Sequence, residues 1–213
     1  MSRTRKKSNL VAARARMYHE LIFECAERVF AEQGFDESTM QDVAAEAGVS
    51  LKTLYATFPG KDDIYQEILE VRSQGLLEAS VAADPERGAM EILAEGIRGI
   101  VGYFIEHPAF LRILARDGQA WGLNPRGQAG QKGALAGAQL VTGIVEQGMK
   151  EGSFLKADPQ LLAASVTALL QVQLSVLLDR DAEPDAVADQ ILVYLRRLLC
   201  GSDGEPSAAE CAA

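Results

Sequence analysis

The stretch from Thr39 to Lys61 decides the fold of this chain, and it reads TMQDVAAEAGVSLKTLYATFPGK. It contains two short segments of helical character, which Gly48 separates. Because glycine has no Cβ, Gly48 accepts the left-handed backbone conformation that a tight turn between helices needs. Thr39 and Ser50 stand where the two helices would start, and residues of these types cap helix N-termini. The stretch therefore predicts a helix-turn-helix.

The side chains of the second predicted helix divide into two faces. On its inward side, Leu54 and Phe58 can pack together with Val43, Ala47 and Val49. Its outward face carries Leu51, Lys52, Thr53, Tyr55 and Ala56. Such a helix can enter the major groove of DNA, where lysine donates to guanine O6 or N7. Tyr55 is long enough to reach a phosphate or a base edge, and its alternative role is packing against Phe58.

An amphipathic helix precedes this stretch and ends at Phe30 to Gly34-Phe35. Over residues 17–65 the chain resembles the DNA-binding signature of the TetR (tetracycline-repressor-like) family of bacterial regulators. Beyond residue 65 the resemblance is one of architecture and length only. It implies an all-α fold, in which an N-terminal three-helix helix-turn-helix domain is followed by a larger helical ligand-binding and dimerisation domain.

The resemblance also implies which residues meet the operator. The candidates are Thr39, Ser50, Leu51, Lys52, Thr53, Tyr55, Thr57, Lys61, Arg5 and Lys6. For Thr39 and Ser50 the alternative is helix capping alone. Thr57 departs from the family, in which histidine is common here and contacts a phosphate. Leu51 stands where polar or basic residues are frequent, so it either meets a thymine methyl group or is merely tolerated. Lys61, beside the next helix start, resembles a clamp on the DNA backbone.

The charge of the chain is unevenly distributed. The net charge of −9 over 213 residues argues against nucleic-acid binding, because phosphates are neutralised by lysine and arginine. Residues 1–16, however, contain six basic residues and no acidic one. This run predicts a flexible basic arm that binds nucleic acid, and the alternative is a solubilising tail. The acidic remainder favours docking on DNA through the basic surface.

Helical periodicity continues to residue 200, and no window alternates with the period of two that marks a strand. The expected helices after the helix-turn-helix are 62–81, 85–106, 108–117, 127–151, 159–178 and 184–200. Three of them begin with proline at the first helical position directly after an acidic residue, at Pro85, Pro159 and Pro184. The predicted organisation is a basic flexible N-terminal arm at 1–16, a helix-turn-helix domain at 17–65, an effector-binding and dimerisation domain at 66–200, and a disordered tail at 201–213.

The last two predicted helices are candidates for a dimer interface. One helix-turn-helix reads too few base pairs for useful specificity, which two half-sites read by a dimer supply. Two helices from each copy could form a four-helix bundle through Leu162, Val166, Leu169, Gln173, Val187, Ile191, Tyr194, Leu195 and Leu198. The alternative is that these residues form the core of one chain. The uncharged 159–178 stretch contains two central glutamines, which are costly in hydrocarbon, so no membrane partner is expected.

The middle helices are expected to enclose a pocket near His107-Pro108 and the glycine-rich loop at 118–127. An aromatic and aliphatic lining suits an apolar or aromatic ligand. The candidate ligand-binding residues are Phe104, Phe110, Leu111, Leu114 and Trp121, and each of them is otherwise an ordinary core residue.

Chemistry other than binding finds no support in the sequence. The three cysteines are widely separated, without metal-ligand spacing, and the sequence has neither a phosphate-binding glycine loop nor a nucleophile elbow. We therefore expect no enzyme, no metal and no cofactor, and a cytoplasmic location. The expected function is that of a DNA-binding transcriptional regulator. More specifically, we expect a repressor that a small apolar or aromatic effector releases from a palindromic operator. The alternative is a helix-turn-helix regulator that a protein partner controls or that has no effector.

Overall fold

The computed structural model describes residues 2–81, 84, 86–116, 127–177 and 183–200. These residues form helices and no strand, as the periodicity predicted. The helices are α1 (Ser2–Gln33), α2 (Met40–Glu46), α3 (Leu51–Thr57), α4 (Lys61–Ser80), α5 (Ala89–Glu106), α6 (Pro108–Arg116), α7 (Gly127–Glu151), α8 (Pro159–Leu177) and α9 (Pro184–Cys200). The predicted tail at 201–213 lies outside the described residues, as does most of the predicted loop at 118–127.

The basic N-terminal segment differs from the prediction of a flexible arm. α1 begins at Ser2 and continues without a break to Gln33. Residues 2–16 contain neither glycine nor proline, and the second half of α1 is fixed by packing. Adding residues to an existing helix costs far less than starting one, so the basic residues lie on a helical extension.

Most helix ends follow local sequence signals. α8 and α9 begin at Pro159 and Pro184, as predicted. The predicted start of α5 was wrong, because α5 begins at Ala89 with Gly88 as its N-cap rather than at 85. The Ala89 N–H donates to a Glu151 carboxylate oxygen at 3.0 Å. A hydrogen bond to a helix that is distant in the chain thus fixes where α5 begins. The preference of proline for the first helical position does not predict such a contact.

The N-terminal three helices share a core with α4. Phe30 at the end of α1, Phe35 in the following turn and Tyr65 on α4 form an aromatic cluster with ring centroids 4.5 to 5.7 Å apart. Ile64, Tyr65, Ile68 and Leu69 are all buried. α4 therefore belongs to the helix-turn-helix core at its start, and it packs against α5 and α7 further along.

α4 and α5 approach each other closely at one end. A Cβ on Gly96 of α5 would lie 2.7 Å from the Ser80 carbonyl oxygen, and a Cβ on Gly99 would overlap the Ala79 carbonyl oxygen. Glycine is needed here for space. This approach sets the geometry of the helices that enclose the cavity described below. None of the helices that the structure describes combines the length and the apolar character of a membrane-spanning segment.

Candidate DNA-binding surface and effector cavity

Thr39 caps the start of α2, as the sequence predicted, and forms a complete capping box with Asp42. The Thr39 hydroxyl accepts a hydrogen bond from the Asp42 N–H at 3.2 Å. Asp42 in turn accepts from the Thr39 hydroxyl at 2.6 Å and from the Thr39 N–H at 2.8 Å. These bonds lower the pKa of the Asp42 carboxyl below its ordinary value. Because the single hydroxyl proton points at Asp42, Thr39 would have to rotate before its hydroxyl could donate to a phosphate.

The turn between α2 and α3 depends on Gly48. Its φ angle is +63°, in the left-handed region that the sequence predicted. A Cβ on Gly48 would meet nothing within 4 Å, so backbone conformation rather than space requires glycine here. The Val49 N–H donates to the Ala44 carbonyl at 3.0 Å, which closes the turn.

The hydroxyls of α3 are engaged within the helix. Ser50 accepts from the Thr53 N–H at 3.1 Å, which confirms its capping role. The Ser50 and Thr53 hydroxyl oxygens are 2.9 Å apart, and the Thr57 hydroxyl donates to the Thr53 carbonyl at 3.0 Å. Thr57 is therefore turned back on its own helix, as serine and threonine often are inside helices.

The two faces of α3 are those that the sequence predicted. Leu54 is completely buried. On the opposite face Lys52 is exposed, Tyr55 is 54% exposed and Leu51 is 37% exposed. The ring of Phe58 pairs with His19 at 4.6 Å, whereas the half-exposed Tyr55 projects outward. α3 thus presents a long donor and a phenol to solvent, side by side.

Lys61 was predicted to clamp the DNA backbone, but the structure turns its ammonium toward the protein. Nζ donates to the carbonyl oxygens of Phe35 at 2.5 Å and Ser38 at 2.7 Å, with Asp36 at 3.4 Å. Nζ also lies 4.4 Å from the centre of the Phe35 ring. Its donors are thereby used inside the chain, because the turn after α1 leaves carbonyls pointing at the start of α4.

The helical extension of α1 carries the remaining predicted DNA contacts. Arg5 and Lys6 lie within its first two turns. Further along, the Arg14 guanidinium donates to the Tyr18 hydroxyl at 3.0 Å and is 5.4 Å from the centre of that ring. The spacing of these basic residues is therefore set by a helix.

A cavity of about 170 Å³ lies between α4, α5, α6, α7 and α8. Of the predicted ligand residues, Phe110 and Leu114 line it. Phe104 and Leu111 are buried but are not among the lining residues, and Trp121 lies outside the described residues. Sequence reasoning did not identify the leucines of α4 or the glycine and alanine strip of α7, which also line the cavity. Small residues on a helix leave space beside it, but only the packing of the neighbouring helices shows whether that space becomes a cavity.

The described lining of the cavity carries no charged side chain. Its polar groups are the hydroxyls of Ser73, Ser80 and Thr167. Ser80 donates to the Leu77 carbonyl at 2.7 Å and Thr167 to the Ala163 carbonyl at 3.0 Å. With these protons used within their helices, the two oxygens remain as acceptors. The cavity therefore suits an uncharged, mostly apolar molecule.

The predicted dimer stripe is corrected by the structure. Leu162, Val166, Val187, Ile191 and Leu195 are buried within one chain, and Val166 lines the cavity. Leu169, Gln173 and Leu198 are partly buried. Only Tyr194 of the predicted set is exposed. The outward faces of α8 and α9 instead carry large apolar side chains that the prediction did not name, namely Leu161, Val172 and Val193.

A buried ion pair joins the helix-turn-helix core to α4, and sequence reasoning did not identify it. Arg72 donates to both carboxylate oxygens of Glu27 at 2.8 and 2.6 Å, and both side chains are largely buried. The Tyr103 hydroxyl donates to the Arg72 carbonyl at 2.9 Å. In the sequence, the only signal was an acid beside the apolar face of α1. Arg116 of α6 also donates to the Glu32 carbonyl of α1.

Comparisons with known proteins agree with this architecture. The family model described as bacterial regulatory proteins, tetR family, matches residues 22–68. The HTH-type transcriptional repressor NicS of Pseudomonas putida is 28% identical over 156 residues, which are 70% of this chain and 71% of that protein. The nucleoid occlusion factor SlmA of Cronobacter sakazakii is 25% identical over 158 residues, 73% of this chain and 80% of that protein. The structure of a tetR-family regulatory protein from Rhodococcus RHA1 superposes with a TM-score of 0.71 at 21% identity, covering 85% of this chain and 96% of that one.

Proposed function

The chain belongs to the TetR family of bacterial regulatory proteins, and from this premise we propose that it is a repressor that an uncharged effector releases from a palindromic operator. It is a transcriptional regulator rather than an enzyme, in agreement with the sequence prediction. The observation that carries the proposal is the outward face of α3, on which Lys52 and Tyr55 are exposed while Leu54 anchors the helix from behind.

DNA reading is assigned to this face. Lys52 and Tyr55 are the proposed base or phosphate contacts, and Leu51 adds an apolar group that fits a thymine methyl. The experiment is selection of bound fragments from the source genome, followed by footprinting of the recovered site. Lys52→Ala and Tyr55→Ala are expected to weaken binding without unfolding the protein, because neither side chain is buried. Full affinity in both variants would refute this reading face.

Two copies of the chain are proposed to bind together through the outward faces of α8 and α9. These faces carry Leu161, Val172, Val193 and Tyr194, and apolar side chains of this size gain from burial. Two α3 helices would then meet half-sites about one helical turn apart, roughly 34–36 Å, or a multiple of that spacing. Val193→Asp is expected to give a folded monomer by light scattering. A Val193→Asp protein that is still dimeric would show that the interface lies elsewhere.

The cavity is the proposed effector site. A dry engineered cavity of about 150 Å³ binds benzene, so a cavity of about 170 Å³ has room for a ligand of that size. The expected effector is apolar or aromatic and uncharged, because the part of the lining that the structure describes offers hydroxyl acceptors and no charged side chain. A panel of neutral and ionised aromatic compounds should raise the melting temperature in the neutral series only.

α4 connects the two proposed sites. Leu69, Ser73 and Leu76 line the cavity, while the first turn of α4 belongs to the helix-turn-helix core. A ligand that displaces α4 would change the separation of the two reading heads in the dimer. A tenfold loss of operator affinity requires only ~1.4 kcal/mol of difference between the two states. Operator affinity that does not change on titration of a cavity-binding compound would refute the coupling.

The domain division follows from the same argument. We propose that residues 17–65 bind DNA, that 66–200 bind effector and partner, and that 1–16 add basic contacts from the helical extension of α1. Removal of residues 2–7 takes away four basic residues. It is expected to flatten the salt dependence of operator binding, since each phosphate contact adds about 0.9 to the slope. An unchanged slope would show that the extension makes no contact with DNA phosphates.

A further inference from the structure

We propose that Lys61 is a positioning residue for DNA binding, which acts through the turn between α1 and α2 and does not itself contact the operator. The proposal rests on the proposed function, because it presupposes that α3 meets DNA. It differs from the role expected from the sequence, in which Lys61 would hold a phosphate directly.

The bonds of the ammonium group are the first observation. A lysine ammonium has three N–H donors and no acceptor. Nζ of Lys61 is within hydrogen-bond distance of the carbonyl oxygens of Phe35, Asp36 and Ser38, at 2.5, 3.4 and 2.7 Å. Three acceptors for three donors leave no proton for an outside ligand. A phosphate could bind Lys61 only by displacing one of these carbonyls.

The packing around the turn is the second observation. The Lys61 ammonium lies 4.4 Å from the centre of the Phe35 ring, and that ring packs against Tyr65 of α4 at 4.5 Å. Ser38 is buried, and its hydroxyl donates to the Phe35 carbonyl at 2.9 Å. The turn is thus held from α4 by a cation at one point and by an aromatic ring at another.

The position of the turn gives these contacts their consequence. Ser38 directly precedes Thr39, the N-cap of α2, and α2 is joined to α3 by the tight turn at Gly48. Lys61 is the first residue of α4, the helix that lines the cavity. Lys61 therefore fixes the orientation of α2 and α3 relative to α4. Without it, the helix-turn-helix keeps its fold but no longer holds one orientation, and operator affinity falls.

The salt dependence of binding separates this role from a phosphate contact. Each phosphate that a protein neutralises adds about 0.9 to the slope of log affinity against log salt. A positioning residue changes affinity and leaves that slope as it was. Lys52 is a matched control, because it is one lysine on the exposed face of α3 that is proposed to meet DNA.

The experiment compares the full-length wild type with Lys61→Gln, Lys61→Arg and Lys52→Gln. Binding to a fluorescein-labelled duplex that carries the genomically selected site is measured by anisotropy between 50 and 200 mM salt, the range over which such affinities change strongly. Lys61→Gln is expected to bind about tenfold more weakly with an unchanged slope. Lys61→Arg is expected to weaken binding too, because the planar guanidinium cannot place its donors on three converging carbonyls. Lys52→Gln is expected to weaken binding and to lose up to about 0.9 of the slope, the value for one phosphate contact.

Three results would overturn the proposal. They are a loss of about 0.9 of the slope in Lys61→Gln, as one lost phosphate contact gives, wild-type affinity in Lys61→Arg, and a lowered melting temperature in Lys61→Gln with unchanged affinity of the folded protein. If Lys61→Gln does not fold, the wild type still decides the matter. Its Lys61 ammonium protons should exchange slowly by NMR, with a shift that added duplex leaves unchanged. A wild type that binds no genomic site would instead refute the proposed function.

Discussion

Replacement of Glu27 by glutamine is expected to destabilise the protein strongly. The carboxylate holds the Arg72 guanidinium through two hydrogen bonds of 2.8 and 2.6 Å, and the exposed fractions of the two side chains are 7% and 17%. Removing one partner of a buried ion pair leaves an uncompensated charge, which costs about 3–5 kcal/mol. Because Arg72 retains some exposure, we expect Glu27→Gln to lower the free energy of unfolding by about 3 kcal/mol.

A second variant tests the reason for the loss. Replacing both partners with apolar residues of similar size is often neutral, so Glu27→Leu with Arg72→Met should recover most of the stability. The exposed Arg28–Glu46 pair, which joins α1 to α2, is the matched control, with side chains 48% and 44% exposed. Glu46→Gln should cost at most about 1 kcal/mol.

The assay is urea unfolding of all four proteins at one protomer concentration, because association contributes to apparent stability. A Glu27→Gln loss no larger than that of Glu46→Gln would refute the argument from burial. A double variant that is no more stable than Glu27→Gln would refute the argument that the unpaired charge is the cause.

Three further predictions concern α5, the cavity and pH. Gly99→Ala should destabilise the protein by about 1–3 kcal/mol, because a Cβ there overlaps the Ala79 carbonyl oxygen. Gly102→Ala is the control, since its Cβ meets nothing within 4 Å, and it should be neutral or stabilising by up to about 1 kcal/mol. Thermal unfolding compares the two variants. Gly137 lines the cavity with open space beside it, so Gly137→Leu should abolish the melting-temperature shift that a neutral aromatic compound gives to the wild type. Burial lowers the pKa of His107 below its ordinary value. Because the unfolded chain then binds more protons than the folded one, the free energy of unfolding should fall as the pH drops below the ordinary histidine pKa. The urea midpoint of His107→Gln should depend less on pH than that of the wild type.

The helix-turn-helix was predictable because its determinants are local. Gly48, Thr39 and Ser50 each act through atoms within a few residues in the chain, and the alternation of Leu54 with exposed neighbours is a property of one helix. The structure confirms the turn, both caps and the two faces. The family resemblance adds the identity of the partner, which local physics could not give.

The dimer and pocket assignments show where such reasoning stops. The stripe through Ile191 and Leu195 is apolar, but an apolar stripe has the same sequence whether it meets its own chain or a second one. The structure places it inside, and the outward residues such as Val193 lie between its members. For the same reason, the sequence did not show that α4 and α7 contribute most of the cavity wall.

The sequence by itself determined the all-helical fold, the capped helix-turn-helix and its outward Lys52 and Tyr55, because the helical period, caps and glycine turns depend on residues that are near each other in the chain. Only the tertiary structure decided that Lys61 bonds to the carbonyls of a distant turn, that Arg72 meets Glu27 across 45 residues, and which face of α9 is buried. These contacts join segments far apart in the chain. Their partners are therefore set by packing, which no local pattern records.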